Sequence, residues 1–320
     1  MVGLPGSSRA TTPLGVGLAT LMREPSAAGR HRLLRAAYDA GFRHFDVAPS
    51  YGLGDAERVL GDFLAGGATD VTVATKVGIR ARGSAGIVRA IQRPARALLR
   101  RFPGLRGRAT RVVGGAVHAT PDFSPAVRER SLADSLRALR RDHLDLYLLH
   151  EAHPTQLANG EVVEWLQEQK RRGVARAIGI ATDRANAAAI VAAHPGIFDV
   201  VQTQSHVLAP AFGRPVGVPF LISHSVLAAP LQAARQRADL DAAWASRLSE
   251  LLDEDVRTPG VLARFLVGWA LMENRHGIVL LGSSKEQHLR EATRAVDAFD
   301  PERLARAGEF VRATLGGGAA

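Results

Sequence analysis

The sequence contains no cysteine, and only three lysines and three tyrosines occur among its 320 residues. Without cysteine, neither a disulfide framework nor a thiolate zinc site can form, and we expect no metal ligands in this protein. No apolar run reaches the roughly 18 residues of a membrane-spanning helix. The first twelve residues also lack the charged-then-apolar pattern of a secretion signal. These absences predict a cytoplasmic protein with no membrane partner.

Arginine supplies nearly all of the positive charge, and lysine is scarce. Of the 41 lysines and arginines, only Lys76, Lys170 and Lys285 are lysines. Lys76 directly follows an apolar segment, Val71–Thr75, that has the composition of a buried strand. A lysine at such a place, in a chain that otherwise uses arginine, indicates a role for the chemistry of its amine.

The positive charge is concentrated in one segment, residues 80–121, here called the basic insertion. Between Ile79 and Pro121 the chain holds ten arginines and no acid, and elsewhere the charges nearly balance. One interpretation is a solvated basic loop, and the other is a surface that contacts an anionic substrate or partner. Because Phe102 is its only aromatic residue, the segment offers little for base stacking, and we expect no nucleic-acid partner.

Short apolar strands alternate with helical segments along most of the chain. The strands lack a clean period of two, as is typical of parallel strands covered on both faces. The predicted strands are Leu14–Leu18, His44–Val47, Val71–Thr75, Leu144–Leu149, Ala177–Ile180, Val200–Gln202, Phe220–Ser223 and Ile278–Leu281. The predicted helices are Gly29–Ala40, Asp55–Leu64, Pro125–Arg140, Glu161–Arg172, Arg184–His194, Leu240–Asp253, Gly260–Glu273 and Lys285–Asp297.

Eight strands with helices between them predict an α/β fold, a (β/α)8 TIM barrel in one domain of residues 1–320. A doubly wound sheet is disfavoured because Gly15-Val16-Gly17 lacks the third glycine of a dinucleotide-binding turn. In the barrel, the basic insertion lies between the third strand and its helix. The sequence of residues 300–320 predicts a C-terminal helix with a glycine-rich end.

Four polar residues stand at or just after the ends of consecutive strands. Asp46, Lys76 and His150 end the second, third and fourth strands, and Tyr51 follows Asp46 by five residues. Because the active sites of such barrels lie at the carboxyl ends of the strands, we expect these side chains to converge. A tyrosine in water has a pKa of about 10, and a neighbouring ammonium lowers it. A carboxylate would hold the lysine, and a neutral histidine would orient the substrate.

This combination predicts a phenol that donates a proton to an oxygen as it becomes an alkoxide. Hydride transfer to a carbonyl makes that demand, and a cofactor has to supply the hydride because no side chain can. The sequence therefore predicts a small-molecule carbonyl or alcohol substrate.

With these residues in place, the chain resembles the aldo-keto reductase superfamily, most closely the branch of the bacterial aldose dehydrogenases. The resemblance implies that Tyr51 is the general acid and base, that Lys76 and Asp46 tune it, and that His150 orients the substrate. It also implies a nicotinamide cofactor, NADP(H) in preference to NAD(H). The segments that carry it are Gly41–Gly52, Ala74–Lys76, Ser131–His150, Gly173–Ile180, Val200–Gln204 and Gly282–Glu291.

The resemblance further implies a set of cofactor-binding residues. Gln202 matches the position that holds the nicotinamide carboxamide. Ser283, Ser284, Gln287 and His288 match the loop and helix start that hold the adenosine and its 2′-phosphate, a placement that suits an anion. The remaining members of the set are Gly17, Thr182, Asp183, His224, Ser225 and Gly282.

At three places the cofactor set departs from the family pattern. Thr182-Asp183 replaces the usual Ser-Asn, and His224 stands where an aromatic residue stacks on the nicotinamide. In the adenosine-binding helix, His288 replaces a common arginine. These departures leave two alternatives to a reductase. One is a binding or regulatory subunit that senses the cofactor, and the other is a non-redox lyase or isomerase that uses the phenol and lysine. Three residues, His206, Arg214 and Glu151, are candidates for the substrate pocket.

Overall fold

The computed structural model describes residues 1–6, 10–79, 120–210, 220–296 and 298–316. Eight parallel strands close into a barrel in the order β10-β3-β4-β5-β6-β7-β8-β9, which confirms the predicted (β/α)8 fold. These strands are β3 Leu14–Gly17, β4 His44–Asp46, β5 Thr72–Val77, β6 Leu144–His150, β7 Ala175–Ala181, β8 Val200–Gln204, β9 Phe220–His224 and β10 Ile278–Leu281. A short antiparallel pair, β1 Val2–Gly3 and β2 Ala10–Thr11, precedes them.

The helices surround the barrel and match the predicted ones to within a few residues at most ends. They are α1 Ala27–Asp39, α2 Asp55–Ala65, α3 Pro125–Leu139, α4 Pro154–Leu157, α5 Glu161–Arg171, α6 Arg184–Ala193, α7 Ala228–Leu240, α8 Ala242–Leu252, α9 Val261–Glu273, α10 Glu286–Thr293 and α11 Pro301–Leu315. Two 3-10 helices, Leu18–Arg23 and Tyr51–Gly54, follow β3 and β4.

Local signals explain where several helices begin and end. The Ser26 hydroxyl accepts a hydrogen bond from the Gly29 amide at 3.0 Å and caps α1. Pro125 occupies the first turn of α3, where its missing amide hydrogen costs nothing. Gly41 follows α1 with a φ of 97°, a left-handed conformation that glycine adopts without strain. The sequence had indicated the last two positions as a helix start and a helix stop.

Several features differ from the sequence-based prediction. Helix α7 and the β1–β2 pair were not expected. Lys76 and His150 lie within their strands rather than just after them, because β5 pairs with β6 as far as Val77 and β6 pairs with β7 as far as His150. Between β8 and β9, where no helix was predicted, the described residues form a single bridge, His206 with Ala209.

Apart from the hydrogen-bonded His44 and Thr72, the barrel interior is apolar at its amino-terminal end, and the β1–β2 pair closes it there. Val2 and Leu4 pack against inward-facing side chains from the strands, among them Leu146 and Leu148. Gly6 permits this closure, because a Cβ at its position would lie 2.2 Å from the Arg176 carbonyl oxygen. The bottom of the barrel is therefore filled, and a cavity can open only toward the carboxyl ends of the strands.

Residues 80–119 of the basic insertion lie outside the described residues. The chain on either side of them is joined, since the Asp122 amide donates to the Gly78 carbonyl at 2.9 Å. The predicted C-terminal helix is present as α11, and residues 317–320 lie outside the described part. Among the described helices, none has the length and apolarity needed to cross a bilayer.

Candidate active site

Asp46, Lys76, Tyr51 and His150 converge at the carboxyl end of the barrel, as the sequence predicted. The Lys76 ammonium lies between the Asp46 carboxylate and the Tyr51 phenol. The rings of Tyr51 and His150 meet edge to face, with centroids 6.0 Å apart. Strands β4, β5 and β6 are hydrogen-bonded neighbours, and this adjacency brings the side chains together.

The Lys76 ammonium is saturated by acceptors. It donates to both Asp46 carboxylate oxygens at 2.7 and 2.8 Å, to the Val47 carbonyl at 3.1 Å and to the Tyr51 hydroxyl at 3.2 Å. Lys76 is only 1% exposed and Asp46 only 2%. Burial lowers the pKa of Lys76, but the Asp46 carboxylate and the Tyr51 oxygen more than offset it, and the net pKa lies above its ordinary value. The lysine therefore carries its charge at neutral pH.

The Tyr51 hydroxyl oxygen accepts from Lys76, so its own proton is left to point elsewhere. Burial raises the pKa of Tyr51, and the Asp46 and Glu151 carboxylates add to the effect. The Lys76 ammonium lowers the pKa but does not reverse the direction. The net shift is thus opposite to the one expected from the ammonium alone, because the sequence does not show how deeply the phenol is buried. At neutral pH the phenol is protonated and can act as a donor.

The two histidines of the site are neutral imidazoles at physiological pH. Burial lowers the pKa of His150 to about 3, and the Lys76 charge and His224 add to this. Burial likewise lowers the pKa of His224 to about 4, with Asp46 and Lys76 acting in opposite directions. The Nδ1 atom of His150 is buried and has no hydrogen-bond partner in the described structure. A neutral imidazole can donate one hydrogen bond and accept another.

Gln202 extends the cluster across the barrel. Its Nε2 donates to the Asp46 Oδ2 atom at 3.0 Å, so this carboxylate receives hydrogen bonds from both a lysine and an amide. The Oε1 atom of Gln202 is buried and has no partner among the described residues. Because an unpaired buried acceptor is costly, this atom is an open position for a ligand donor.

A cavity of about 300 Å³ opens above these residues. Nine of the residues predicted for the site line it: Gly17, Asp46, Tyr51, Lys76, His150, Gln202, His224, Ser225 and Gly282. Glu151, a candidate pocket residue, also lines it. No sequence pattern indicated the other lining residues, which are Ala19, Thr20, Ala181, Val226, Leu227, Ala228, Leu280 and Leu281. Thr20 is the most polar of these, and its hydroxyl is buried without a partner in the described structure.

Six predicted cofactor residues are not among the cavity-lining residues. The Thr182 hydroxyl donates to the Ala152 carbonyl at 3.1 Å, and the Asp183 carboxylate accepts from the Asn186 amide at 3.0 Å, which caps α6. The others lie on the loop and first turns of α10, outside the cavity: Ser283, Ser284, Gln287 and His288. Their binding roles stay predictions.

The loop of Tyr51 is shaped by glycine. Tyr51 begins a 3-10 helix that ends at Gly54, and its amide donates to the Ala48 carbonyl at 3.0 Å. Gly52 has a φ of 59°, and a Cβ there would lie 2.1 Å from the Met22 Cγ atom. The turn therefore packs directly on Met22, and a side chain at position 52 would displace it.

The fold agrees with the comparison to known protein families. Residues 13–311 match the family described as the Aldo/keto reductase family. This match covers far more than half of the chain, and the chain therefore belongs to that family.

Two characterised relatives match shorter parts of the chain. D-threo-aldose 1-dehydrogenase of Pseudomonas sp. is 35% identical over 173 residues, which cover 52% of this chain and 49% of that protein. Pyridoxal 4-dehydrogenase of Microbacterium luteolum is 44% identical over 70 residues, covering 21% of this chain and 20% of that protein. The chain thus spans about half or less of the length of these relatives.

Solved structures match over almost the whole chain. An aldo-keto reductase of Bacillus halodurans, in its holo form, has a TM-score of 0.69 and 20% identity, covering 97% of this chain and 95% of that chain. A glycerol dehydrogenase of Gluconobacter oxydans has a TM-score of 0.73 and 17% identity, covering 100% of this chain and 97% of that chain. Identities this low show a shared fold alone.

Proposed function

We propose that the protein is an NAD(P)(H)-dependent oxidoreductase that interconverts a carbonyl and an alcohol, with Tyr51 as the general acid and base. The observation that carries the proposal is the Tyr51 hydroxyl, which lines the cavity while its oxygen accepts from the Lys76 ammonium at 3.2 Å. This arrangement leaves the phenol proton free for a substrate oxygen and places a cation where a phenolate forms.

The cavity has features that fit a nicotinamide cofactor. The buried Oε1 atom of Gln202 has no partner in the described structure and can accept from an amide such as the carboxamide. Gly17 and Gly282 approach each other at the cavity edge, where a Cβ on Gly282 would lie 3.5 Å from the Gly17 carbonyl oxygen. Together with His224 and Ser225, these residues would hold the cofactor. A bound nicotinamide supplies or accepts the hydride.

The side chains of the protein would then handle the proton. In the reducing direction, Tyr51 and the neutral imidazole of His150 hold the carbonyl oxygen, and Tyr51 releases its proton as that oxygen gains charge. Lys76 stabilises the resulting phenolate, and Asp46 keeps the ammonium in place. In the oxidising direction, the phenolate takes the proton from the alcohol.

A steady-state assay tests the proposal directly. The wild-type protein should oxidise NADPH or NADH in the presence of some members of a panel of aldehydes, ketones and aldoses. Tyr51→Phe should lower kcat by about 100-fold or more, because it removes the transferred proton but retains the ring. If neither cofactor binds or turns over with any member of the panel, the proposal is wrong.

Two further measurements, a fluorescence titration and an assay of cofactor-stripped protein, separate the two alternatives. A cofactor-sensing subunit would quench tryptophan fluorescence on binding NADPH but would turn over no substrate. A lyase or isomerase would keep a Tyr51-dependent activity after the cofactor is stripped from the protein. An oxidoreductase loses its activity in stripped protein and regains it when the cofactor is added back.

Two finer points belong to the same proposal. NADP(H) is expected in preference to NAD(H), since Lys285 lies at the start of α10, close to where the family resemblance places the 2′-phosphate. Lys285→Ala should then lower kcat/KM for NADPH but leave that for NADH unchanged. The similarity to D-threo-aldose 1-dehydrogenase supports a small carbonyl compound such as an aldose as the substrate. An aldose panel with both cofactors tests this.

A further inference from the structure

A buried carboxyl group lies behind the catalytic lysine, on the opposite side of the barrel wall. Glu57 is 4% exposed, and its Oε1 atom accepts a hydrogen bond from the Thr75 hydroxyl at 2.7 Å. Thr75 directly precedes Lys76 in β5, so the two side chains point to opposite faces of the strand. Neither Glu57 nor Thr75 lines the cavity. The pair is therefore separate from the binding site, although it is one residue away from it.

This hydrogen bond joins the two elements that carry the reacting groups. Glu57 lies in the first turn of α2, which begins directly after the 3-10 helix of Tyr51. Thr75 lies in β5, which carries Lys76. The distance between the Lys76 ammonium and the Tyr51 hydroxyl, 3.2 Å, depends on how these two elements are held together.

The turn that carries Tyr51 has little rigidity of its own. Gly52 and Gly54 both adopt positive φ angles, of 59° and 88°. Gly54 is also the N-cap of α2 and offers no side-chain cap. Glycine loses more freedom on ordering than any other residue, so the turn needs an external anchor. The Glu57 carboxyl supplies one to the helix that follows.

The packing of α2 brings this carboxyl to the barrel wall. Gly61 lies one turn after Glu57 on the same face of the helix. A Cβ at Gly61 would lie 2.0 Å from the Ala138 carbonyl oxygen, so α2 and α3 are in direct backbone contact. The hydroxyl of Ser135, on α3, faces the carboxyl and lowers its pKa, although it forms no hydrogen bond of normal geometry.

We propose that Glu57 and Thr75 are positioning residues that hold the Tyr51 phenol at hydrogen-bond distance from the Lys76 ammonium. The inference rests on the proposed function, in which this pair moves the proton. A buried carboxyl group that loses its donor is left unsatisfied, and it has to shift toward another partner. That shift would move the start of α2 and, with it, Tyr51.

The elements packed against Glu57 place charged and titratable groups near it. Burial raises the pKa of Glu57, and Asp134 on α3 adds to this, whereas Thr75, Ser135 and the Lys76 ammonium lower it. On β6, the pKa of Tyr147 is raised well above its ordinary value, chiefly by burial, and the Glu57 carboxyl adds to this rise.

Thr75→Val is the test variant, because valine keeps the shape of threonine and removes only the hydroxyl. We expect kcat to fall by about 10- to 100-fold with KM changed by less than about threefold, since misplacement of a catalytic group acts on the chemical step. Thr75→Ser restores the hydroxyl and should restore kcat. Glu57→Gln keeps an acceptor oxygen and should lose less than Thr75→Val. Thr203→Val removes a buried strand hydroxyl that has no partner in the described structure and does not line the cavity, so it is the matched control and should behave as wild type.

A readout that does not need turnover is the titration of the Tyr51 phenol, followed by NMR with tyrosine labelled at Cζ. Only three tyrosines are present, and Tyr51→Phe assigns the signal. In Thr75→Val the pKa of Tyr51 should rise, because the ammonium lies farther from the phenolate. If that pKa and the kcat pH profile match wild type, or if kcat falls only in proportion to the folded fraction, the inference is wrong. An inactive wild type would contradict the proposed function alone, because the titration would still report on the link.

Discussion

Gln202 on β8 donates a hydrogen bond from Nε2 to the Oδ2 atom of Asp46 on β4, at 3.0 Å across the barrel. One carboxylate thereby connects the residues proposed for proton transfer to the residue expected to hold the cofactor. Asp46 receives the Lys76 ammonium on both oxygens and the Gln202 amide on one. A substitution of Lys76 should therefore alter the hydrogen bonding of Gln202 through Asp46, and a substitution of Gln202 should alter that of Lys76.

Removal of the Gln202 amide should weaken cofactor binding. In Gln202→Met the acceptor for the carboxamide is lost, and Asp46 loses one of its donors. We expect the Kd of the cofactor to rise about tenfold, which corresponds to about 1.4 kcal/mol, the typical value of one hydrogen bond. Quenching of tryptophan fluorescence by NADPH measures this Kd. An unchanged Kd would show that Gln202 does not contact the cofactor.

The Lys76–Asp46 ion pair should contribute strongly to stability as well as to catalysis. Lys76→Met leaves the Asp46 carboxylate buried without its cation, and removing one partner of a buried pair costs about 3–5 kcal/mol. Adding Asp46→Asn removes the uncompensated charge and should restore part of the free energy of unfolding. Urea titrations of the two variants measure this. Neither variant should regain activity, and equal stability of the two would contradict the electrostatic argument.

Glu151 should tune the pH dependence of Tyr51. Its carboxylate raises the pKa of the phenol, so Glu151→Gln should lower that pKa. In the reducing direction the phenol has to be protonated, and activity is lost as the pH rises through its pKa. The variant should therefore lose reductase activity at a lower pH than wild type, and in the oxidising direction its activity should begin to rise at a lower pH. The pH profiles of kcat in both directions measure this, and coincident profiles would contradict it.

Much of the barrel was predictable because its signals are local. The strands are short and mostly apolar runs, several of them end at or beside a polar residue, and the architecture brings consecutive strand ends together. Helix α7 was not predicted, since its buried residues, Pro230, Ala234 and Ala238, are too small to give a hydrophobic period. The β1–β2 pair was missed because strands of two residues show no pattern at all.

The candidate site was predictable in its residue types but not in its energetics. The four residues proposed for proton transfer could be chosen from their places in the sequence. The direction of the Tyr51 pKa shift could not, because it depends on burial, a tertiary property. The link between Glu57 and Thr75 spans 18 positions and joins different elements, so no local period indicates it.

The buried histidine at the amino-terminal end of the barrel should make the protein sensitive to acid. His44 is fully buried, its Nδ1 atom lies 2.9 Å from the Thr72 hydroxyl, and burial lowers its pKa to about 4. In the unfolded chain the pKa returns to about 6.5, so the unfolded state binds the proton first as the pH falls. The stabilisation is present above pH 6.5 and is lost as the pH falls toward 4.

His44→Gln removes this titration but keeps a polar partner for Thr72. Between pH 7 and pH 5, the free energy of unfolding of wild type should fall by about 2 kcal/mol more than that of the variant. This difference follows from the pKa of His44 in the folded and unfolded states. Urea unfolding at the two pH values measures the difference. His150 and His224, whose pKa values burial also lowers, are present in both proteins and cancel in the comparison. If wild type and variant lose the same stability, His44 is not a source of the acid sensitivity.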